Sequence, residues 1–470
     1  MTDLEFTEKT MTDLETTILN LHNKIWELAE LSDEEFESAE LLCKALEAEG
    51  FQVRRSVCGK KTAFIASFGE GHPAVGYLGE YDALPGLSQK AGFPQKYPVK
   101  EHGNGHGCGH SALGTASLAA AFIAKRYLQE TKSSGRVVYF GCASEEGIGA
   151  KPFMARDGEF NDIDCVFAWH PASTNGVVNA EFLAVKDFTV EFHGIASHAG
   201  GAPHLGRSAL DACELMNVGV NYLREHVIQE ARLQYAYLDA GGIAPNVVPD
   251  HAKMIYGIRA PKISEVCKIA QRVIQCAKGA ARMTGTTCTI EPHMGYSDVF
   301  QNKVVANILS KAAQDVGAPK WDESDYQLAH EFASQYNEAQ HAAMMEMIKE
   351  IYSADEQKNK ELYPLDTLME AFKAEKIVKV YGCSDVGDVG YVVPTASLSV
   401  ATAAIGCPGH SWFMTGMTGS SIGEKGLMCA GKIMGLAGIR VYEEPNCLRG
   451  AQEERIARTG GIYECPMGTI

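Results

Sequence analysis

The chain has 470 residues, enough for two or three domains at roughly 150 residues each and for a large apolar core without disulfide or metal staples. Its 42 Lys and Arg against 59 Asp and Glu give a net charge of −17, an acidic surface that repels phosphate backbones and anionic lipid and so disfavours nucleic-acid and membrane-surface roles. Apolar residues at 46% match an ordinary soluble chain, and no run approaches the ~18 apolar residues that a membrane span requires.

The acidic start Met-Thr-Asp-Leu-Glu, repeated at Met11–Glu15, has no apolar stretch behind it, so no signal peptide is read there. Apolar residues at helical spacing from Leu14 predict two helices that close at Gly50. Strands follow at Thr62–Phe68 and Ala74–Leu78, an alanine-rich helix at Ser111–Leu128, and strands at Arg136–Cys142 and Cys165–Trp169. This alternation implies an α/β fold on a mostly parallel sheet covered on both faces. The pattern then changes to strand (Phe188–Phe192), helix (Ser208–Gln229), paired strands (Gln234–Leu238, Met254–Ile258), helix (Ile263–Thr284) and strand (Thr287–Glu291). That βαββαβ order is ferredoxin-like and predicts an inserted domain at 187–294, dividing a first domain into 1–186 and 295–470. A polar, helix-prone stretch at about 325–375 reads as an inserted helical hairpin outside the core, and the last twenty residues as a loosely packed tail. Fourteen cysteines without regular spacing fit reduced thiols in a cytoplasmic protein.

The informative residues fall at the C-terminal ends of the predicted strands, where an open parallel sheet places its ligand crevice. Cys108 and His110, one glycine apart in a Gly-rich loop, can turn to the same side and clip a metal. Glu145 and Glu146 are adjacent acids beyond a buried strand, where one can ligate a cation while its neighbour takes a proton from water. His170 closes Phe-Ala-Trp-His, and His410 lies in Pro-Gly-His-Ser-Trp after another apolar run. Each alone has an ordinary explanation in a flexible loop, a solvated acid pair or a carbonyl-bonded histidine. Together they supply five donors and a spare carboxylate, enough for two metal ions with room for water and substrate.

At these residues the chain resembles the metal-dependent amidohydrolases and peptidases of family M20, in the group that holds hippurate hydrolases and auxin-conjugate amidohydrolases. The resemblance is carried by Leu-Gly-Glu80-Tyr81-Asp82-Ala-Leu, Gly-His106-Gly-Cys108-Gly-His110, Pro203-His-Leu-Gly-Arg207-Ser-Ala-Leu-Asp211 and Ser384-Asp-Val-Gly-Asp388, and it spans about residues 14–440. It implies two divalent metal ions, zinc or manganese, held by Cys108, His110, Glu146, His170 and His410, with His110 as the bridging or central ligand. Glu145 would then be the general base and Asp82 the orienter of a ligand histidine. His198 would cross a dimer interface to stabilise an oxyanion, and the inserted domain would be a lid. Asn246 and Arg259 would hold the carboxylate of an N-acyl or N-aroyl amino acid, such as an aminobenzoyl-glutamate-like substrate.

Most peptidases of the family carry His-x-Asp where this chain has Glu80-Tyr81-Asp82, and Cys108 is expected to replace the missing ligand. Arg207, in the loop before the first lid helix, is read either as a reader of an acidic substrate side chain or as a solvent-facing arginine at a helix start. Three rival readings stay open at this point: a dipeptidase of the same family, a non-catalytic metal-binding module, and a thiol hydrolase with Cys108 as nucleophile and His110 as base.

Overall fold

The computed structural model describes residues 1–468. In chain order its strands are β1 Gln52–Arg55, β2 Phe64–Glu70, β3 Ala74–Gly79, β4 Gly135–Gly141, β5 Cys165–Ala172, β6 Ala180–Phe182, β7 Ala184–His193, β8 Ser197–His198, β9 Arg232–Asp239, β10 Val247–Val248, β11 His251–Ala260, β12 Thr287–Tyr296, β13 Val378–Val380 and β14 Thr395–Ala401. Two compact units form: Met1–Asn179 with Gln301–Val378 and Val389–Ile462, and Ala180–Phe300 with two short segments that begin at Lys379 and Tyr463.

The first unit is built on a six-stranded sheet in the order β1-β2-β4-β3-β5-β14. The pairs β4–β3, β3–β5 and β5–β14 are parallel, while β1–β2 and β2–β4 are antiparallel. β3 is buried end to end, as a parallel strand covered on both faces must be. The helices His110–Thr131 and Ser421–Glu443 pack face to face. An added Cβ at Gly435 would stand 2.9 Å from the Ile123 side chain, so glycine permits this close approach.

The N-terminal helix runs Asp3–Leu28, starting well before Leu14, because Thr2 and Glu5 make a reciprocal capping box. The first copy of the repeated pentapeptide thus supplies the cap, while the second lies mid-helix and sends Met11 and Leu14 into the core.

Two expectations for this unit are corrected. The 325–375 stretch is three helices, Glu323–Ala333, Glu338–Ile351 and Ala354–Leu362, because Asp322, Asn337 and Ser353 each open a helix with a capping box. The first two are also part of the core: Phe332 packs with Phe413 and Met417, and Met344 and Ile348, with Tyr352 just beyond, pack with Ile405. The C-terminal stretch is not a loose tail throughout, since Cys447–Thr459 is a helix with Ala451 and Arg455 buried. Its residues between glycines 450 and 460 are good helix formers, and Arg449 pairs with Glu453 one turn on.

The second unit is a four-stranded antiparallel sheet, β12-β7-β11-β9, with the expected βαββαβ order. The helices Ala209–Leu223 and Ile263–Thr284 cover one face. There Phe188, Val190, Phe192, Met254, Tyr256 and Ile258 of the sheet meet Met216, Val220, Val266 and Val273 of the helices. β11 alternates strictly between buried and half-buried positions, so the opposite face carries polar side chains. β8 and β10 form a separate two-stranded ribbon.

Candidate metal centre

The site is assembled where the central strands of the first unit end. β3 is followed by Glu80 and Asp82, β4 by Glu145 and Glu146, and β14 by the loop with His410, while His170 interrupts the buried run of β5. Cys108 and His110 stand at the start of the helix His110–Thr131. Gly109 between them has φ +83°, and a Cβ there would stand 2.8 Å from Cβ of Pro171. Only glycine satisfies both conditions, and it sets Cys108 and His110 against the end of β5.

Three groups of potential ligands lie close together: Cys108, His110 and His170; Cys108, Glu146 and His410; and Glu80, His110 and Glu145. Cys108 Sγ is 3.5 Å from His170 Nε2, and His410 Nε2 is 3.3 Å from Glu146 Oε1. His110 Nε2 is 3.3 Å from Glu80 Oε2 and 3.9 Å from Glu145 Oε2. The adjacent acids therefore face different donor groups. All five expected ligands, with Glu145 and Asp82, come together.

Hydrogen bonds fix which atoms face inward. His110 Nδ1 donates to Asp82 Oδ1 at 2.7 Å, and the other Asp82 oxygen accepts from Ser32 Oγ and the Glu146 amide. Burial pushes the Asp82 carboxyl up, but the His110 hydrogen bond and charge outweigh this and hold it below the usual range. His170 Nδ1 donates to the Pro171 carbonyl at 2.7 Å. In both imidazoles Nδ1 is thus committed to an oxygen, which leaves Nε2 as the atom that faces a cation. Burial raises the Cys108 thiol, yet the neighbouring His110 and His170 bring it down to about 5, so the sulfur is a thiolate at neutral pH.

These donors fit divalent cations. His110 Nε2 and Glu146 Oε1 are buried without a hydrogen-bond partner, an arrangement that is costly unless something else occupies those lone pairs. His110 Nδ1 is committed to Asp82, and its Nε2 is the atom common to the first and third groups. The atom common to the first two groups is Cys108 Sγ, and a thiolate has lone pairs for two.

Sequence reasoning missed Lys151. Its Nζ meets Glu80 Oε1 at 2.6 Å with both side chains buried, which leaves Oε2 toward His110. A lysine after Gly-Ile-Gly-Ala carries no pattern that marks it.

The remaining predicted residues lie in the second unit. His198 and Asn246 share the β8–β10 ribbon, where Val247 pairs with His198 and the Ala199 amide donates to the Asn246 carbonyl. His198 is exposed, and its Nδ1 accepts from the amides of Gly200 and Gly201 at 3.1 and 2.9 Å, so Nε2 carries the proton outward. Arg259 is not brought to that ribbon. It lies near the far end of β11, separated from His251 at the ribbon end by eight residues of strand, about 26 Å at 3.3 Å per residue. There it donates to the Tyr381 carbonyl and lines a 350 Å³ cleft with Leu183, Arg232, Gln234 and Tyr381. Arg207 is exposed and spends Nη1 on the carbonyls of Gly206 and His204.

Imidazole, carboxylate and thiolate donors gathered at the end of such a sheet, with a further carboxylate beside them, define a metal-dependent hydrolase. The chain belongs to the peptidase family M20/M25/M40, whose model matches residues 76–376. It is 38% identical to a subunit of the p-aminobenzoyl-glutamate hydrolase of Escherichia coli, over 95% of this chain and 94% of that protein. Its fold matches the aminobenzoyl-glutamate utilization protein of Klebsiella pneumoniae, with a TM-score of 0.63 at 15% identity over 92% of this chain and 98% of that one. It also matches a dinuclear metal binding peptidase of the M20 family from Bacillus subtilis, with a TM-score of 0.58 at 16% identity over 92% of this chain and 99% of that one. At these identities the two structures speak to fold alone. The chain is an amide-bond hydrolase of this family.

Proposed function

We propose that the chain hydrolyses the amide bond of N-acyl or N-aroyl amino acids, aminobenzoyl-glutamate being the nearest substrate type, with two divalent cations at the Cys108 cluster. The observation that carries this reading is the pair of orphaned buried atoms, His110 Nε2 and Glu146 Oε1, each grouped with Cys108 Sγ. Cys108, His110 and His170 would hold one cation, and Cys108, Glu146 and His410 the other. The thiolate favours zinc over manganese by softness, while the other donors accept either. Two cations so held would acidify a water and polarise the amide carbonyl.

The chain's own residues do the rest. Glu145 takes a proton from the attacking water and returns one to the leaving amine. Asp82 and the Pro171 carbonyl keep His110 and His170 in the tautomer with Nε2 free. His198 donates its Nε2–H to the carbonyl oxygen as that oxygen gains charge. Asn246 and Arg259 take the substrate carboxylate. The carbonyl bonds of Arg207 support its plainer role of fastening its own loop.

Arg259 and His251, at the end of β11 where the ribbon leaves, are about 26 Å apart along the strand. We infer a homodimer in which residues 187–294 form the lid and dimerisation domain and present His198 to the partner's site. The edge strand β9 exposes Tyr235, Tyr237 and Leu238, and the helix Ala209–Leu223 exposes Val218 and Tyr222, an apolar strip that suits such pairing. No helix among the described residues is long and apolar enough to cross a membrane. With fourteen free thiols, we place the protein in the reducing cytoplasm.

A panel of benzoyl-, aminobenzoyl- and aliphatic acyl-amino acids, assayed with and without chelator, tests the reading. Turnover of at least one aroyl-amino acid, lost with chelator and restored by zinc or manganese, is expected. Activity on free dipeptides alone would sink it, and chelator-resistant activity blocked by iodoacetamide would favour a Cys108 nucleophile. His170→Ala and Glu146→Gln should each lower bound metal and lose activity in consequence, since each removes a proposed ligand. Wild-type stoichiometry by metal analysis would remove either residue from the ligand set.

A further inference from the structure

The polar face of the second unit's sheet carries a donor set that shares no residue with the Cys108 cluster. Glu191 and His193 lie on β7, and His251 opens β11 directly opposite His193. Glu191 Oε1 is 2.9 Å from His251 Nε2 and 3.6 Å from His193 Nε2, so one carboxylate oxygen and two imidazole nitrogens converge. Bonds of about 2.0–2.1 Å to a tetrahedral zinc put ligand atoms about 3.3 Å apart, and the two observed spacings straddle that value. All three side chains are partly exposed, which leaves an entry path and a position for water.

Two neighbours orient these donors. Asp239 Oδ2 meets His251 Nδ1 at 3.0 Å, the carboxylate–histidine arrangement that leaves Nε2 to face a cation. Lys253 Nζ holds Glu191 Oε2 at 3.0 Å and so leaves Oε1 toward the histidines.

We propose that Glu191, His193 and His251 form a further metal site, for a zinc-like divalent ion, that fastens the base of the ribbon carrying His198. Two imidazoles exclude calcium and magnesium, which take oxygen ligands. The site sits where the two strands leave the sheet: the Gly194 amide donates to the Asp250 carbonyl at 2.7 Å, and β8 and β10 begin and end within four residues of His193 and His251. An ion there ties β7 to β11 at the root of that ribbon.

Metal analysis of the full-length protein after equilibrium dialysis against buffered zinc tests the site. Wild type should hold one more zinc per chain than His193→Gln or His251→Gln, and zinc should raise the melting temperature of wild type more than that of either variant. Asp239→Asn should keep the ion but bind it about 10–100-fold more weakly, as loss of an orienting carboxylate does. Cobalt bound at this site should show ligand-field bands without the sulfur charge-transfer band of a thiolate site. Equal zinc content in wild type and both histidine variants, each with a wild-type circular dichroism spectrum, overturns the proposal, because a His251 imidazolium bridging Glu191 and Asp239 binds no zinc. If one histidine variant fails to fold, the other and Asp239→Asn still decide: unchanged zinc stoichiometry and affinity in both would overturn it.

Discussion

Glu145→Gln is expected to retain the full complement of metal while kcat falls by about 10²–10⁴-fold, the usual worth of a positioned general base. That range equals about 3–5 kcal/mol of transition-state stabilisation. The substitution keeps the shape of the side chain and removes only its capacity to take a proton, so binding of substrate and cations is left alone. The geometry gives the prediction its edge. Glu145 Oε2 lies 3.9 Å from His110 Nε2 and its side chain is not fully buried, whereas Glu146 Oε1 is a buried orphan beside His410. Glu145 also falls in a donor group with Glu80 and His110, so ligation is its alternative role. A ligand would lose metal in parallel with activity, and a base would not. Metal content and kcat measured on the same preparation separate the two, and near-normal turnover would exclude Glu145 from proton transfer altogether.

How far the sequence reached depends on the range of the interactions involved. The central sheet was legible because parallel strands buried on both faces are continuous apolar runs, as in β3 and the first part of β5. Cys108, His110, Glu145, Glu146, His170 and His410 were legible because each follows or ends such a run, or opens the helix beside it. What escaped was long-range or mutual. Lys151 matters only through Glu80, 71 positions away, and no local pattern joins them. Which nitrogen of His110 faces the cluster was equally hidden, because the commitment of Nδ1 to Asp82 is a fact of three-dimensional pairing. Glu191, His193 and His251 are scattered in sequence and meet only through the antiparallel register of β7 and β11. The stretch at 325–375 reads as polar because its first two helices bury only one narrow face each, yet that face belongs to the core.

His198→Ala is expected to lower kcat by about 10²–10³-fold, comparable to the loss of one oxyanion donor, with little change in KM or bound metal. The tautomer supports the role. Two glycine amides fill the lone pair of His198 Nδ1, so the proton sits on Nε2 and can stabilise charge only when charge has developed. The stronger test asks whose site the histidine serves. In a dimer with exchanged lids, mixing His198→Ala with Glu145→Gln creates hybrids in which one site has a defective base and no histidine, while the other has both groups sound. Random exchange of equal amounts makes half the dimers hybrid with one working site in two, so the mixture should recover about a quarter of wild-type activity. If His198 serves its own subunit, each hybrid site lacks one group and the mixture stays as inactive as its components. Subunit exchange followed by mass spectrometry of differently tagged chains confirms that hybrids formed, so a failure to recover activity in their presence places His198 at its own subunit's site or at none.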